Sequence, residues 1–136
     1  MGNAGFTGTR NGMSAAQKRA LEDLLVGRSV RHLHHGDCTG ADAEAHDVAI
    51  RLYVIPVIHP PTDPTRRAFK SAPASHLREP LPYLERNHAI VNESDFLIAA
   101  PDGPETLRSG TWATVRYARK VGKRVLVIMP NGEILP

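Results

Sequence analysis

Five short apolar runs punctuate the chain: "AGFT" from Ala4, "VRHLH" from Val30, "YVIPVI" from Tyr53, "FLIAA" from Phe96 and "RVLVIM" from Arg124. Most are apolar on successive residues rather than alternating, the pattern of strands covered on both faces. The segments between them carry helical spacing. Ala41, Ala45, Val48, Ala49 and Leu52 form an i, i+4, i+7, i+8, i+11 stripe. Ser14 followed by Gln17 reads as a capping box that opens the first helix, with Leu21, Leu24 and Leu25 on its apolar side. A third helix is expected over Leu81 to Asn92. A fourth starts near Thr111, turns Thr114, Val115, Ala118 and Val121 inward and stops at Gly122.

Strands alternating with helices predict an α/β fold: a single Rossmann-like domain over residues 1–136, with a five-stranded, mainly parallel sheet and helices on both faces. Right-handed crossovers give a strand order of 3-2-1-4-5, reversing between the first and fourth strands. The stretch from His59 to Pro82, rich in Pro, Ser and Ala, breaks the rhythm and is too long for a simple connection. It is expected to be a mobile lid or a surface excursion that packs on a neighbouring subunit.

In an open parallel sheet, ligands bind outside the carboxyl ends of the strands, where the strand order reverses. Three loops should meet there: "TGTRNG", "HGDCTGAD" and "PDGPETLRSGT". All carry glycine, which lets backbone approach a ligand closely, and hydroxyl groups. Two of them feed directly into helices, and a helix N-terminus offers unpaired N–H groups and partial positive charge to a phosphate. The candidate phosphate-binding residues are Thr7, Gly8, Thr9 and Arg10 in the first loop. The second contributes Gly36, Asp37, Thr39, Gly40 and Asp42, and the third Ser109, Gly110 and Thr111.

The second loop also invites a metal reading, since two histidines, two aspartates and the sole cysteine fall between His34 and Asp42. Three features weigh against it. Thr39 and Asp42 fit a T-x-x-D capping box, which gives Asp42 a structural task. His32 and His34 share one strand face under a helix while His35 points to the other. A zinc site wants converging pairs, and no second such pair is spaced along the chain. No metal and no other cofactor is therefore expected. Cys38 reads as a small residue near a helix N-terminus, where its thiol could also be acidified.

"GFTGTR", "HGDCTGAD", "ERNHAIVNESDFLIAAP" and "SGTWATVRYARKVGKRVLVIMP", in this order, resemble the SLOG superfamily, which includes the Lonely Guy (LOG) phosphoribohydrolases and the DNA-processing protein A (DprA) fold. The resemblance covers nearly the whole chain outside the Pro-rich insert. It implies a Rossmann-like sheet that binds nucleotides or nucleotide-derived ligands, and a homodimer or higher homo-oligomer. The last segment looks closer to the DprA-like side. Against the LOG signature "PGGxGTxxE", Gly110 and Thr111 match, Arg86 falls where that family has an arginine, and Thr114 stands at the glutamate position. The loop from Pro101 to Ser109 is also longer than the pattern. Arg86 and Glu105 are thus the catalytic candidates, with Glu44 a further substitute for the missing carboxylate.

Several residues keep two readings. Arg10 reaches a phosphate or is a solvated surface cation; Arg86 serves a ligand or pairs with Glu85 or Glu93 on its own helix. Asp95 holds a loop or contacts a ligand. Trp112 stacks on a base or is buried. Arg116, Arg119, Lys120, Lys123 and Arg124 form a solvated basic face or touch nucleic acid.

The leading expectation is a nucleotide-binding module. Alternatives are a LOG-like hydrolase of nucleoside 5'-monophosphates and a DprA-like binder of single-stranded DNA. An aromatic content of 5% offers few stacking platforms for the last. A net charge of +3 suits an anionic small ligand without demanding one. No apolar run reaches the roughly 20 residues of a membrane span. The sequence "MGNAGFTGTR" has neither signal-peptide layout nor myristoylation pattern, and one cysteine forms no internal disulfide. A cytoplasmic location is expected, with no membrane partner.

Overall fold

A computed structural model of the chain describes residues 2–136. In chain order the elements are β1 (Asn3–Gly8), α1 (Ala15–Gly27), β2 (His32–His35), α2 (Ala41–Arg51), β3 (Ile55–Ile58), α3 (Tyr83–Asn92), β4 (Phe96–Ala100), α4 (Gly110–Lys120), β5 (Arg124–Ile128) and β6 (Ile134–Leu135). The sheet runs β3-β2-β1-β4-β5-β6. Every pairing is parallel except β5 with β6. The order expected from sequence is present, with a sixth, antiparallel strand added at one edge. That strand returns through a tight turn in which Gly132 takes φ +89° and donates to the Met129 carbonyl at 2.8 Å. Asn131-Gly132 is itself a hairpin signal.

Helices α1 and α2 cover one face, packing Leu21, Leu25, Ala45 and Val48 on Phe6, Leu33, Ile98 and Leu126. On the other face Val91 of α3 and Val115 and Ala118 of α4 meet Leu97, Ala99, Val125 and Val127. Successive residues of β4 thus enter opposite cores, which explains their unbroken apolar run. The Ser14–Gln17 capping box forms as expected. Gln17 is also buried, and its amide donates to the carbonyls of Pro101 (2.7 Å) and Ile128 (2.9 Å), closing the ends of β4 and β5.

Three boundaries differ from expectation, each for a local reason. Helix α3 begins at Tyr83 rather than Leu81, because Pro82 holds the preceding residue extended. Tyr53 lies outside β3 with φ +59°, in the turn that leaves α2. Val121 is the C-cap of α4 and is exposed instead of buried.

The insert from His59 to Pro82 packs on its own chain. It contains two single turns of 3-10 helix, Pro64–Arg66 and Ala74–His76. Bridges join Ile58 to Leu77, Pro61 to Leu81 and Cys38 to Arg67. Buried Asp37 holds it from below, accepting from Arg67 Nε at 2.8 Å and the Lys70 amide at 3.0 Å.

Four histidines are built into these layers. Burial lowers the His34 pKa to about 4 and that of His59 to about 3. It also holds His35 well below, and His46 below, the usual value of 6.5. Unfolding releases all four to take up protons, so their contribution to stability is complete above about pH 6.5 and is lost as pH falls towards 4. Urea midpoints measured in chelated buffer should fall steadily between about pH 7 and pH 5. A flat profile would mean that these rings are solvated.

Candidate functional site

The three loops singled out by sequence meet at the carboxyl edge of the sheet, around a cavity of about 750 Å³. Close backbone contacts set their spacing. Gly8 lies so near Ala41 that a Cβ would stand 2.5 Å from the alanine methyl carbon. Gly40, with φ +90°, passes under the Arg10 carbonyl, which a Cβ would meet at 2.3 Å. The Ala41 amide then donates to the Thr9 carbonyl at 2.9 Å, tying the first loop to the start of α2. The third loop joins through Asp102, whose Oδ2 accepts from Thr9 Oγ1 (3.3 Å) and Asn11 Nδ2 (3.0 Å). Ser109 caps α4 by accepting from the Trp112 amide, and the buried Trp112 indole donates to the Gly103 carbonyl. The amides of Gly110 and Thr111, in the first turn of α4, have no acceptor among the described residues.

Of the residues expected at the site, Thr7, Gly8, Thr9, Arg10, Gly36, Asp42, Arg86, Ser109, Gly110 and Thr111 line this cavity. Asp37, Thr39 and Gly40 do not. Asp37 anchors the insert, the Thr39 amide donates to the Arg66 carbonyl, and Gly40 makes the turn. Glu105 lies outside as well, paired with Arg116 of α4 at 2.9 Å. Glu44 is also engaged elsewhere, accepting from the Met13 amide at 2.6 Å and facing Lys18 at 3.1 Å. Sequence reasoning missed Asn11, Asp102 and Arg108, which lie inside the loop motifs, and Asp63, Thr65 and Arg66 of the insert. Only folding of the insert over the β2–α2 loop brings the latter three in.

Two local expectations are corrected. The T-x-x-D capping box does not form: the N-cap of α2 is Gly40, without a side-chain cap. Asp42 instead turns back along its own loop, and its Oδ2 accepts from the amides of Gly36 and Cys38, both at 3.2 Å. Burial pushes this carboxyl up to about 6, against the pull of Arg86 and the two amides. The Cys38 thiol is not acidified; burial and the neighbouring Asp42 raise its pKa although Arg86 opposes them.

Arg86 is 4% exposed, a burial rare for arginine, and pairs with neither Glu85 nor Glu93. Its Nη1 donates to the carbonyls of Gly36 and His59, joining the ends of β2 and β3, while Nε reaches Asn87 Oδ1 at 2.7 Å. Nη2 has only the Cys38 sulfur, at 3.6 Å.

The histidines of the HHGDC stretch separate. His35 Nδ1 accepts from the Asp37 amide, so its Nε2 carries the proton and donates to His46 Nδ1 at 2.9 Å. His34 points to the opposite face of the sheet, against His59.

No protein-family model matches the chain, and no curated protein matches it in sequence. Solved structures do match its fold. The molybdenum cofactor binding protein of the phototrophic bacterium Rippkaea orientalis superposes with a TM-score of 0.69 at 21% identity, over 93% of this chain and 75% of that one. The structural-genomics protein TM1055 gives 0.66 at 15% identity, over 92% and 72%. DNA processing protein A of Streptococcus pneumoniae gives 0.64 at 16% identity, over 92% of this chain and 49% of that one. The fold is the one that the SLOG resemblance implies.

Two substitutions test how the site is held. Arg86→Lys keeps the charge but loses the Nε bond to Asn87 and the planar fork that also presents Nη2 to the cavity, and should cost about 1–3 kcal/mol in urea denaturation. Gly40→Ala, strained at φ +90° and clashing with backbone, should cost roughly 2–4 kcal/mol. Near-wild-type midpoints for both would mean that the loops are not locked in this arrangement.

Proposed function

We propose that the cavity binds a nucleotide or a nucleotide-derived phosphorylated ligand and holds it without cleaving it. The observation that carries this reading is an imbalance in how the charged groups around the cavity are used. Its three carboxylates are engaged by protein donors: Asp42 by Gly36 and Cys38, Asp63 by Thr65, and Asp102 by Thr9 and Asn11. Its guanidiniums are not matched. Arg10, Arg66 and Arg108 line the cavity and make no side-chain hydrogen bond or ion pair among the described residues, and Arg86 keeps Nη2 nearly free. With the open amides of Gly110 and Thr111, these groups suit the diffuse negative charge of a phosphate.

Hydrolysis of an N-glycosidic bond calls for a carboxylate beside the ribose, both to stabilise developing positive charge and to activate water. Thr114, at the position where the LOG signature has glutamate, is buried and donates to the Gly110 carbonyl of its own helix. Glu105 and Glu44 are engaged away from the cavity. Nucleoside monophosphates should therefore raise the thermal midpoint of the protein yet be recovered intact, with no free base on chromatography. Arg10→Ala and Arg108→Ala should each weaken binding about tenfold. Turnover near one per second would establish an enzyme instead. Affinity for oligonucleotides falling steeply with salt would favour single-stranded DNA.

Asp42 makes the binding depend on pH. Its carboxyl is largely neutral below about 6 and ionised above, where it competes with the ligand for Arg86. Sulfate keeps a fixed charge across this range and isolates the effect. Its stabilisation of the protein, referred to the sulfate-free midpoint at each pH, should shrink as pH rises through about 6, and Asp42→Asn should flatten that trend. A trend unchanged in Asp42→Asn would remove Asp42 from the ligand's surroundings.

A further inference from the structure

On the α3 side of the sheet, away from the cavity, three side chains converge from distant parts of the chain. His34 comes from β2, His59 from the first residue after β3, and Glu93 from the C-cap of α3. One ligand atom of each can be chosen so that all lie within 4.8 Å of one another. His34 Nδ1 stands 2.9 Å from His59 Nε2, and His59 Nδ1 stands 3.9 Å from Glu93 Oε2. None of the three lines the nucleotide cavity.

The groups behind them hold them in place. His34 Nε2 meets Asn3 Oδ1 at 3.1 Å, so with the ring proton directed to that oxygen, Nδ1 is left as a lone pair towards His59. Arg78 clasps the Glu93 carboxylate from outside, with Nε and Nη2 both 2.9 Å from Oε1, which leaves Oε2 towards the histidines. Partners of this kind orient ligating histidines and carboxylates in metal sites. The histidines are 3% and 2% exposed, whereas Glu93 is open to solvent, giving the cluster a closed floor and one accessible side.

We propose that His34, His59 and Glu93 bind a divalent first-row transition ion, zinc foremost, with water completing the coordination. Two imidazoles and a carboxylate are a borderline donor set that suits zinc and leaves a fourth tetrahedral position open. The separation of the two facing nitrogens, now that of a hydrogen bond, needs only a few tenths of an ångström of opening to admit an ion about 2.0–2.1 Å from each. The loss of one hydrogen bond is offset by two metal–nitrogen bonds. The absence of a zinc motif in the HHGDC stretch is consistent with this, because His35 and Cys38 take no part and the other two ligands come from far along the chain. The bound ion would join β2, the end of β3 and the end of α3. It would also brace the His59 backbone, whose carbonyl receives Arg86 at 3.2 Å.

The test uses the full chain, stripped with a chelator and titrated with zinc against a chromogenic competitor, and with cobalt(II) to read coordination number from its visible bands. The expected result is one ion per chain, with cobalt bands of four- or five-coordinate intensity. Glu93→Gln, on the open side, should fold normally and bind at least about tenfold more weakly. His59→Ala should abolish binding, with its folded state checked by circular dichroism. His88→Ala, outside the cluster, should bind as wild type. Failure of the wild-type protein to bind stoichiometrically overturns the proposal. So does binding that survives both Glu93→Gln and His59→Ala, or that is lost in Cys38→Ser.

Discussion

Arg86 stands at the junction on which the architecture of the site depends. A parallel sheet ends in a row of carbonyls that α-helical crossovers cannot satisfy, and the carbonyls of Gly36 and His59, just past β2 and β3, have the Arg86 guanidinium as their donor. Leaving each unmade would cost about 1–3 kcal/mol. One guanidinium donates to both, from a helix on the opposite side of the cavity. Gly36 permits this approach, since a Cβ there would stand 2.5 Å from Arg86 Nη1. The exchange has a second consequence: it places a buried positive charge in the cavity wall with no carboxylate ion-paired to it among the described residues. Structural closure of the sheet and a positive charge in the cavity wall thus come from the same side chain.

The histidine pairs show how β2 serves two layers. Its residues alternate in direction, so His35 turns to His46 on α2 while His34 turns to His59 and the insert side. Each ring satisfies another ring's nitrogen within an apolar layer, where an unpaired polar atom would be costly. Burial keeps them neutral, and neutral imidazoles can act as both donor and acceptor. On the α2 side this capacity is used up by His46 and the Asp37 amide. On the other side the chain of partners ends at the solvent-facing carboxylate of Glu93.

The strand and helix pattern was legible because both cores are built from consecutive apolar residues on strands and from helical stripes. The three glycine loops were legible because strand order puts them at one edge. What escaped depended on contacts between distant segments. The spacing of Thr39 and Asp42 suggested a cap, yet the two amides that Asp42 satisfies belong to its own loop, and nothing local ranks one partner over the other. Glu105 belonged to a loop that enters the site, but its side chain leaves with Arg116. Asp63 and Arg66 sit in a segment whose composition suggested an excursion; Asp37, at the far end of β2, draws that segment back. The sixth strand was announced by Asn131-Gly132, a signal overlooked beside the longer runs.

The chemistry open to the cavity follows from how its acids are solvated. A carboxylate that accepts several hydrogen bonds in its charged form is a weak base, because those donors favour ionisation. Asp63 is such a group, held below the usual range by Thr65. Asp42 differs. It also accepts two amides, but burial outweighs them and raises its carboxyl to about 6, close to where a general acid or base works best. The carboxyl in the wall that burial raises is therefore that of the aspartate at the start of α2, whereas Glu105 lies outside the cavity and Thr114 carries no carboxyl group. Its neighbours act in opposite senses: Arg86 favours the ionised carboxylate, while the Cys38 thiol is itself raised by burial and by Asp42. Asp42 is thus a wall group whose carboxyl burial raises to about 6 beside the Arg86 guanidinium, so its charge changes in a range where the arginine's does not.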